Sequence, residues 1–134
     1  GDTYGSQMRA MAATVANPAD RLALSNYIAQ LPKTPPPAPP KSAVKANLAN
    51  GSTQFNALCS ACHNSNGRGN KALAAPRLAG VDNVYLARQY TNFRTGKRGT
   101  DPNDKMGKQM AAISKLLDAK AERDVFAYIN TLKP

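Results

Sequence analysis

Residues 59–63 read Cys-Ser-Ala-Cys-His, and the rest of the chain holds no other cysteine and no other histidine. Three chemistries use such residues at this spacing: a metal site, a thiol redox pair, and covalent attachment of haem. Structural zinc takes four ligands, and the motif offers at most three, with no second cluster to complete them. A redox pair stands at the start of a helix that follows a strand, whereas this pair falls toward the end of a helical pattern in a chain without strand alternation. A disulfide here would close a loop too short to stabilise much. Cys-x-x-Cys-His is the attachment signature of c-type haem. The two sulfurs bond the porphyrin's vinyl groups while the adjacent imidazole reaches the iron from the same side, so all three groups must share one helical turn.

The composition agrees with a fold organised by a large flat cofactor. Of 134 residues 42% are hydrophobic, but only 6% are aromatic and none is tryptophan. Recurrent alanine favours helix over sheet, so the expected fold is all-α with a thin core that a cofactor can fill. The length suits one domain with an appendage.

The sharpest change of composition is Leu31-Pro-Lys-Thr-Pro-Pro-Pro-Ala-Pro-Pro-Lys41. Repeated proline fixes φ, removes amide donors and favours an extended spacer, so residues 32–45 are expected to be a linker between a helical segment, 1–31, and a haem-binding domain, 46–134. Before the linker, Asn17 caps a helix with Pro18 in its first turn and Leu24, Tyr27, Ile28 and Leu31 on one face. After it, Ser52 is expected to cap a helix carrying Phe55, Leu58, Cys59 and Cys62. Asp82 caps one carrying Leu86, Gln89, Tyr90 and Phe93 that ends at Gly96, and Asp118 caps one with the stripe Val125, Tyr128, Ile129 and Leu132.

The two ends of the chain repeat. Asn17–Leu31 and Asp118–Leu132 share a capping residue, a Tyr-Ile pair and a final leucine at an offset of 101, and Ser-Gln-Met8 answers Lys-Gln-Met110. The first 31 residues therefore look like the tail of an earlier copy. Met8 stands where Met110 stands, but no Cys-x-x-Cys-His precedes it, so Met8 is expected to ligate no iron. The apolar stripe of this segment is expected to pack on the haem domain or to pair two chains into a dimer.

With a single histidine, bis-histidine ligation within the chain is impossible. A methionine thioether is the usual second ligand in electron-carrying haem proteins and raises the potential. The candidates are Met106 and Met110 downstream and Met8 and Met11 upstream. From Gly51 to Leu132 the chain resembles the class I cytochromes c of bacteria, especially tandem dihaem members of the periplasm. The resemblance rests on four ordered blocks: FNALCSACHNSNGRG, APRLAG, YLARQYTNFRTGKR and MAAISKLLDAKAERDVFAYINTL. It implies a class I cytochrome c fold, one haem c bonded through Cys59 and Cys62, His63 as proximal ligand and Met110 as distal ligand, with Met106 one turn earlier as its competitor. It also implies that the Pro76 carbonyl accepts the free ring N–H of His63. Gly67 and Gly69 fit a tight loop below the haem edge, and Arg77, Arg88 and Tyr90 are candidate partners of the haem propionates, whose charge must be met if buried.

Eighteen lysines and arginines against eight acidic residues give a net charge of +10. From Cys59 to Met110 the basic residues (Arg68, Lys71, Arg77, Arg88, Arg94, Lys97, Arg98, Lys105, Lys108) outnumber the acidic ones (Asp82, Asp101, Asp104) nine to three. A basic rim beside a haem edge steers toward an acidic docking surface while leaving dissociation fast. Acidic redox proteins such as a terminal oxidase, a reductase or a dehydrogenase are the expected partners. Nucleic acid is not, since the charges form no basic tail. No stretch approaches the ~20 apolar residues of a membrane span. The expected function is one-electron transfer rather than enzymatic turnover. The alternatives are the electron-entry domain of a larger respiratory enzyme or dihaem protein, and a five-coordinate haem enzyme or gas sensor. Because haem is attached to paired thiols outside the bacterial cytoplasm, a periplasmic or extracytoplasmic location is expected.

Overall fold

A computed structural model describes residues 3–32 and 45–133, and all but the end residues of the expected linker lie outside them. The chain divides into two compact units, Gly1–Pro35 and Pro36–Pro134. The first contains α1 (Thr3–Ala13) and α2 (Pro18–Gln30). Asn17 caps α2, its side-chain oxygen accepting from the Ala19 N–H at 2.9 Å, and Pro18 takes the position where a missing N–H costs nothing. Neither helix buries a residue. α1 carries Met8 and α2 follows it, the same order in which a methionine-bearing helix and an Asp118-capped helix close the second unit.

The second unit contains α3 (Leu48–Leu58), α4 (Ser60–His63), a 3-10 turn at Lys71–Leu73, α5 (Asn83–Arg94), α6 (Lys105–Ile113) and α7 (Ala119–Ile129). The fold is all-α: among the described residues the only β pairing is an isolated bridge between Asn70 and Ala75. Phe55, Leu86, Tyr90, Leu117, Val125 and Ile129 form the core, each removing apolar surface from water. Asp82 and Asp118 cap α5 and α7 by accepting from Tyr85 N–H and Ala121 N–H. Gly96, at φ 73°, stops α5 by turning its N–H back to the Phe93 carbonyl.

Two helices start where the sequence does not suggest. α3 begins at Leu48, a turn before Ser52, because Asn47 is its cap and accepts from Asn50 N–H at 3.0 Å. Gly51, which reads as a helix breaker, lies inside α3 tight against α7, where a Cβ would overlap the Asp124 carbonyl oxygen. α6 lacks a strong helical signal, since Gly107 interrupts it. It is held instead by Asp104, whose carboxylate accepts from Gly107 N–H at 2.7 Å.

Asp124 of α7 is fully buried beside this crossing and joins the two helices. Its carboxylate accepts from the Asn47 backbone N–H at 3.0 Å and from the Asn50 side-chain amide at 2.9 Å. An acid on one helix thus satisfies the open N-terminal donors of another. The Asn47 N–H foremost, then the Asn50 amide, hold its pKa below the ordinary 3.8, outweighing burial, with smaller help from Arg123 and Lys120. A lowered folded-state pKa contributes stability that is complete above the unfolded value, near 3.8, and is lost as pH falls through the folded value. Asp124→Asn is therefore expected to lower the thermal midpoint at pH 7 by on the order of 5–10 °C. It should also flatten the decline of stability below pH 3.8 relative to the parent, as measured by thermal melts from pH 7 to pH 2.

Candidate functional site

α4 is one turn long and follows α3 directly after Cys59, whose φ of −116° breaks the regular helix. The Cys59 carbonyl still accepts from the His63 N–H at 2.9 Å and from the Cys62 N–H at 3.2 Å, so the three residues of the motif sit on a single turn. Cys59 is half-buried and Cys62 exposed, and both are free thiols. Burial, and secondarily the neighbouring Cys62, push the Cys59 thiol up to about 11.

The loop after α4 folds back to orient the imidazole. His63 Nδ1 lies 2.8 Å from the Pro76 carbonyl oxygen. A carbonyl can only accept, so Nδ1 carries the proton and the Nε2 lone pair is left for a metal. Burial lowers the His63 pKa, the bond to Pro76 opposing that shift, and the ring is held in the neutral form that ligates. Gly69 makes this reach possible. At φ 82° it donates its N–H to the His63 carbonyl at 2.9 Å, and a Cβ there would lie 2.7 Å from Ala75 O, Pro76 C and Arg77 N. Only a residue without a side chain lets the two segments approach so closely. The Asn64 side-chain amide donates to the Gly69 carbonyl, and the paired backbone bonds of Asn70 and Ala75 close the loop.

Tyr90 is 7% exposed, yet among the described residues its hydroxyl finds no hydrogen-bond partner of ordinary geometry. Burial first, then Glu122 and Cys59, push this phenol up to about 12, with Arg94 and the Leu117 backbone acting in the other direction. A buried hydroxyl without a bond costs about 1–3 kcal/mol, which a polar group of a bound cofactor would relieve. Met110, on α6, is half-buried and packs against the core cluster, whereas Met106 is 41% exposed. Arg77 and Arg88 are exposed, and the Arg88 guanidinium lies 5.7 Å from the Tyr85 ring centroid.

The structure thus brings together Cys59, Cys62, His63 and Pro76, and puts Tyr90 within electrostatic reach of Cys59. It adds one feature that sequence reasoning missed, a contact between Arg94 of α5 and Glu122 of α7 at 2.6 Å. The residues present fit haem c: two thiols and a neutral imidazole on one turn, and an orphaned hydroxyl in a sparse aromatic core.

Comparison with known proteins agrees. The family model for cytochrome c matches residues 48–133. The chain is 43% identical over 54 residues to a cytochrome c4 of Azotobacter vinelandii, covering 40% of this chain and 26% of that protein. It is 37% identical over 78 residues to a thiosulfate dehydrogenase electron acceptor of Thiomonas intermedia, covering 58% and 33%. A cytochrome c4 of Pseudomonas aeruginosa is 37% identical over 74 residues, covering 55% and 35%. The chain therefore spans about a quarter to a third of the length of these relatives. It belongs to the cytochrome c family, whose haem c is bonded covalently at the paired cysteines, here Cys59 and Cys62.

Proposed function

We propose that this chain is a one-electron carrier in which His63 and Met110 would both ligate the haem iron. Bound haem supplies a one-electron couple between ferric and ferrous iron. The observation that carries the reading is the bond from His63 Nδ1 to Pro76, which fixes the ring and leaves Nε2 as its only open donor atom. The burial of Met110 supports it over the exposed Met106. With both residues as ligands the iron would offer no open position to a substrate or gas, which is what separates a carrier from a haem enzyme. The relative from Thiomonas, named as an electron acceptor, supports transfer as the role.

The basic residues between Cys59 and Met110 would steer the molecule toward acidic redox partners. The family's chemistry supports a periplasmic location, and among the described residues no helix is long and apolar enough to cross a membrane. The carrier acts as one domain of a longer protein in a second reading, favoured by the α1–α2 order that repeats α6–α7.

The test is the visible spectrum and mass of the matured chain, followed by addition of carbon monoxide to the reduced form. One haem of added mass, a sulfur-to-iron charge-transfer band in the oxidised protein and no response to carbon monoxide are expected. An immediate and complete spectral shift would overturn Met110 ligation.

A further inference from the structure

α5 places Tyr90 and Arg94 one turn apart, and α7 places Glu122 and Phe126 one turn apart, so the two helices meet in two rungs. In the first rung the Tyr90 and Phe126 rings meet edge-on at 89°, their centroids 5.6 Å apart. In the second, Arg94 Nη1 donates to Glu122 Oε2 at 2.6 Å. The rungs also touch each other, for the Arg94 guanidinium lies 5.6 Å from the Tyr90 ring centroid.

The pair is only partly open to water: the Glu122 side chain is 15% exposed and that of Arg94 36%. Charges so placed are screened less than surface ions and act over longer distances. Their near neighbour is Tyr90 of the core cluster. Tyr90, over whose ring the Arg94 guanidinium lies, belongs to the core cluster against which Cys59 and Met110 also pack, so the ion pair adjoins the cluster that carries the point of haem attachment.

We propose that Glu122 neutralises Arg94 beside the haem, so that the reduction potential of the centre is held below the value an unpaired Arg94 would give it. The proposal rests on the covalent haem at Cys59 and Cys62 and on one-electron transfer. When the ferric centre takes up one electron, here delivered by an electrode through a mediator, its charge falls by one unit. An unpaired positive charge nearby favours the reduced state, and an unpaired negative charge favours the oxidised one. A rung that served packing alone would not distinguish the two signs.

The test is mediated potentiometry on the haem-loaded full chain with Glu122→Gln, Arg94→Gln, the double variant and Arg94→Lys. Glu122→Gln should favour the reduced form about fivefold, a rise of about 40 mV at 59 mV per decade for one electron. Arg94→Gln should lower the potential by a comparable amount, and the double variant should return close to the parent. Arg94→Lys, which keeps the charge, should leave the potential unchanged. Single variants that shift in the same direction, or that leave the potential unmoved, would overturn the proposal. If Arg94→Gln does not fold, a rise in Glu122→Gln beside an unmoved Arg94→Lys still supports it, and an unmoved or lowered Glu122→Gln still sinks it. Loss of the sulfur-to-iron band in the parent would remove Met110 from the iron but leave this test of sign intact.

Discussion

Replacing Met110 by alanine is expected to abolish the sulfur-to-iron charge-transfer band, make the reduced protein bind carbon monoxide at once, and lower the midpoint potential by roughly 0.2 V, within the ~0.8 V that axial ligands span. The fall follows from the preference of a thioether for ferrous iron, which is lost with the ligand. Met106→Ala is the control. Its side chain is exposed and stands one turn earlier on the same helix, so it should leave band, potential and gas reactivity unchanged. Potentiometry together with a carbon monoxide titration of the two variants decides the assignment. A band that survives Met110→Ala and disappears in Met106→Ala would give the iron to the other methionine.

Gly51→Ala is expected to have the largest effect on stability, and helix propensity alone gives the wrong sign for it. Alanine is better than glycine in a helix interior by about 1 kcal/mol. At position 51 the new methyl would overlap the Asp124 carbonyl oxygen and stand 2.6 Å from its carbon and 3.0 Å from Tyr128 Cβ. Two of these three contacts are backbone, which cannot turn aside as a side chain would. Separating α3 from α7 would also pull Phe55 from Tyr128, whose rings lie 5.5 Å apart, and strain the bonds of Asp124 to Asn47 and Asn50. Overpacking of this kind costs about 3 kcal/mol where the backbone must move, so a net loss of about 2 kcal/mol remains after the propensity gain of alanine over glycine is subtracted. Chemical denaturation of the haem-loaded protein measures it directly. A neutral or stabilising result would mean that the helices do not cross as closely as described.

Both predictions concern positions whose role can be read from the chain only in part. The chemistry of Cys59, Cys62 and His63 is legible because one turn of helix suffices to bring them together, whatever the rest of the fold does. Asn17, Asp82 and Asp118 are legible as caps for the same reason, since each accepts from an N–H two or three residues ahead. Met110 and Met106 are a harder case. Both lie on α6 and both precede the last helix, and their difference in exposure arises from how that helix leans on the core.

Ser52 shows where local reading fails. It has the right chemistry for a cap, but Asn47 takes the role because Asp124, 77 residues further on, receives the Asn47 N–H and draws the start of α3 upstream. Gly51 then reads as a breaker only until α7 is laid across it. Arg77 and Arg88, candidates for the propionates by residue type, are exposed in the folded domain, while Glu122 carries no local hint of the arginine it meets on α5.

Taken by itself, the sequence determined the cofactor class, the helical composition and most of the helix starts, because each of these depends on bonds made within a turn or two of chain. The tertiary structure alone decided which glycine is a crossing point, which carboxylate is a buried clamp, which charge faces Arg94 and which phenol is buried short of a regular hydrogen bond. These are pairings between residues tens of positions apart, and no local preference specifies them until the helices have packed.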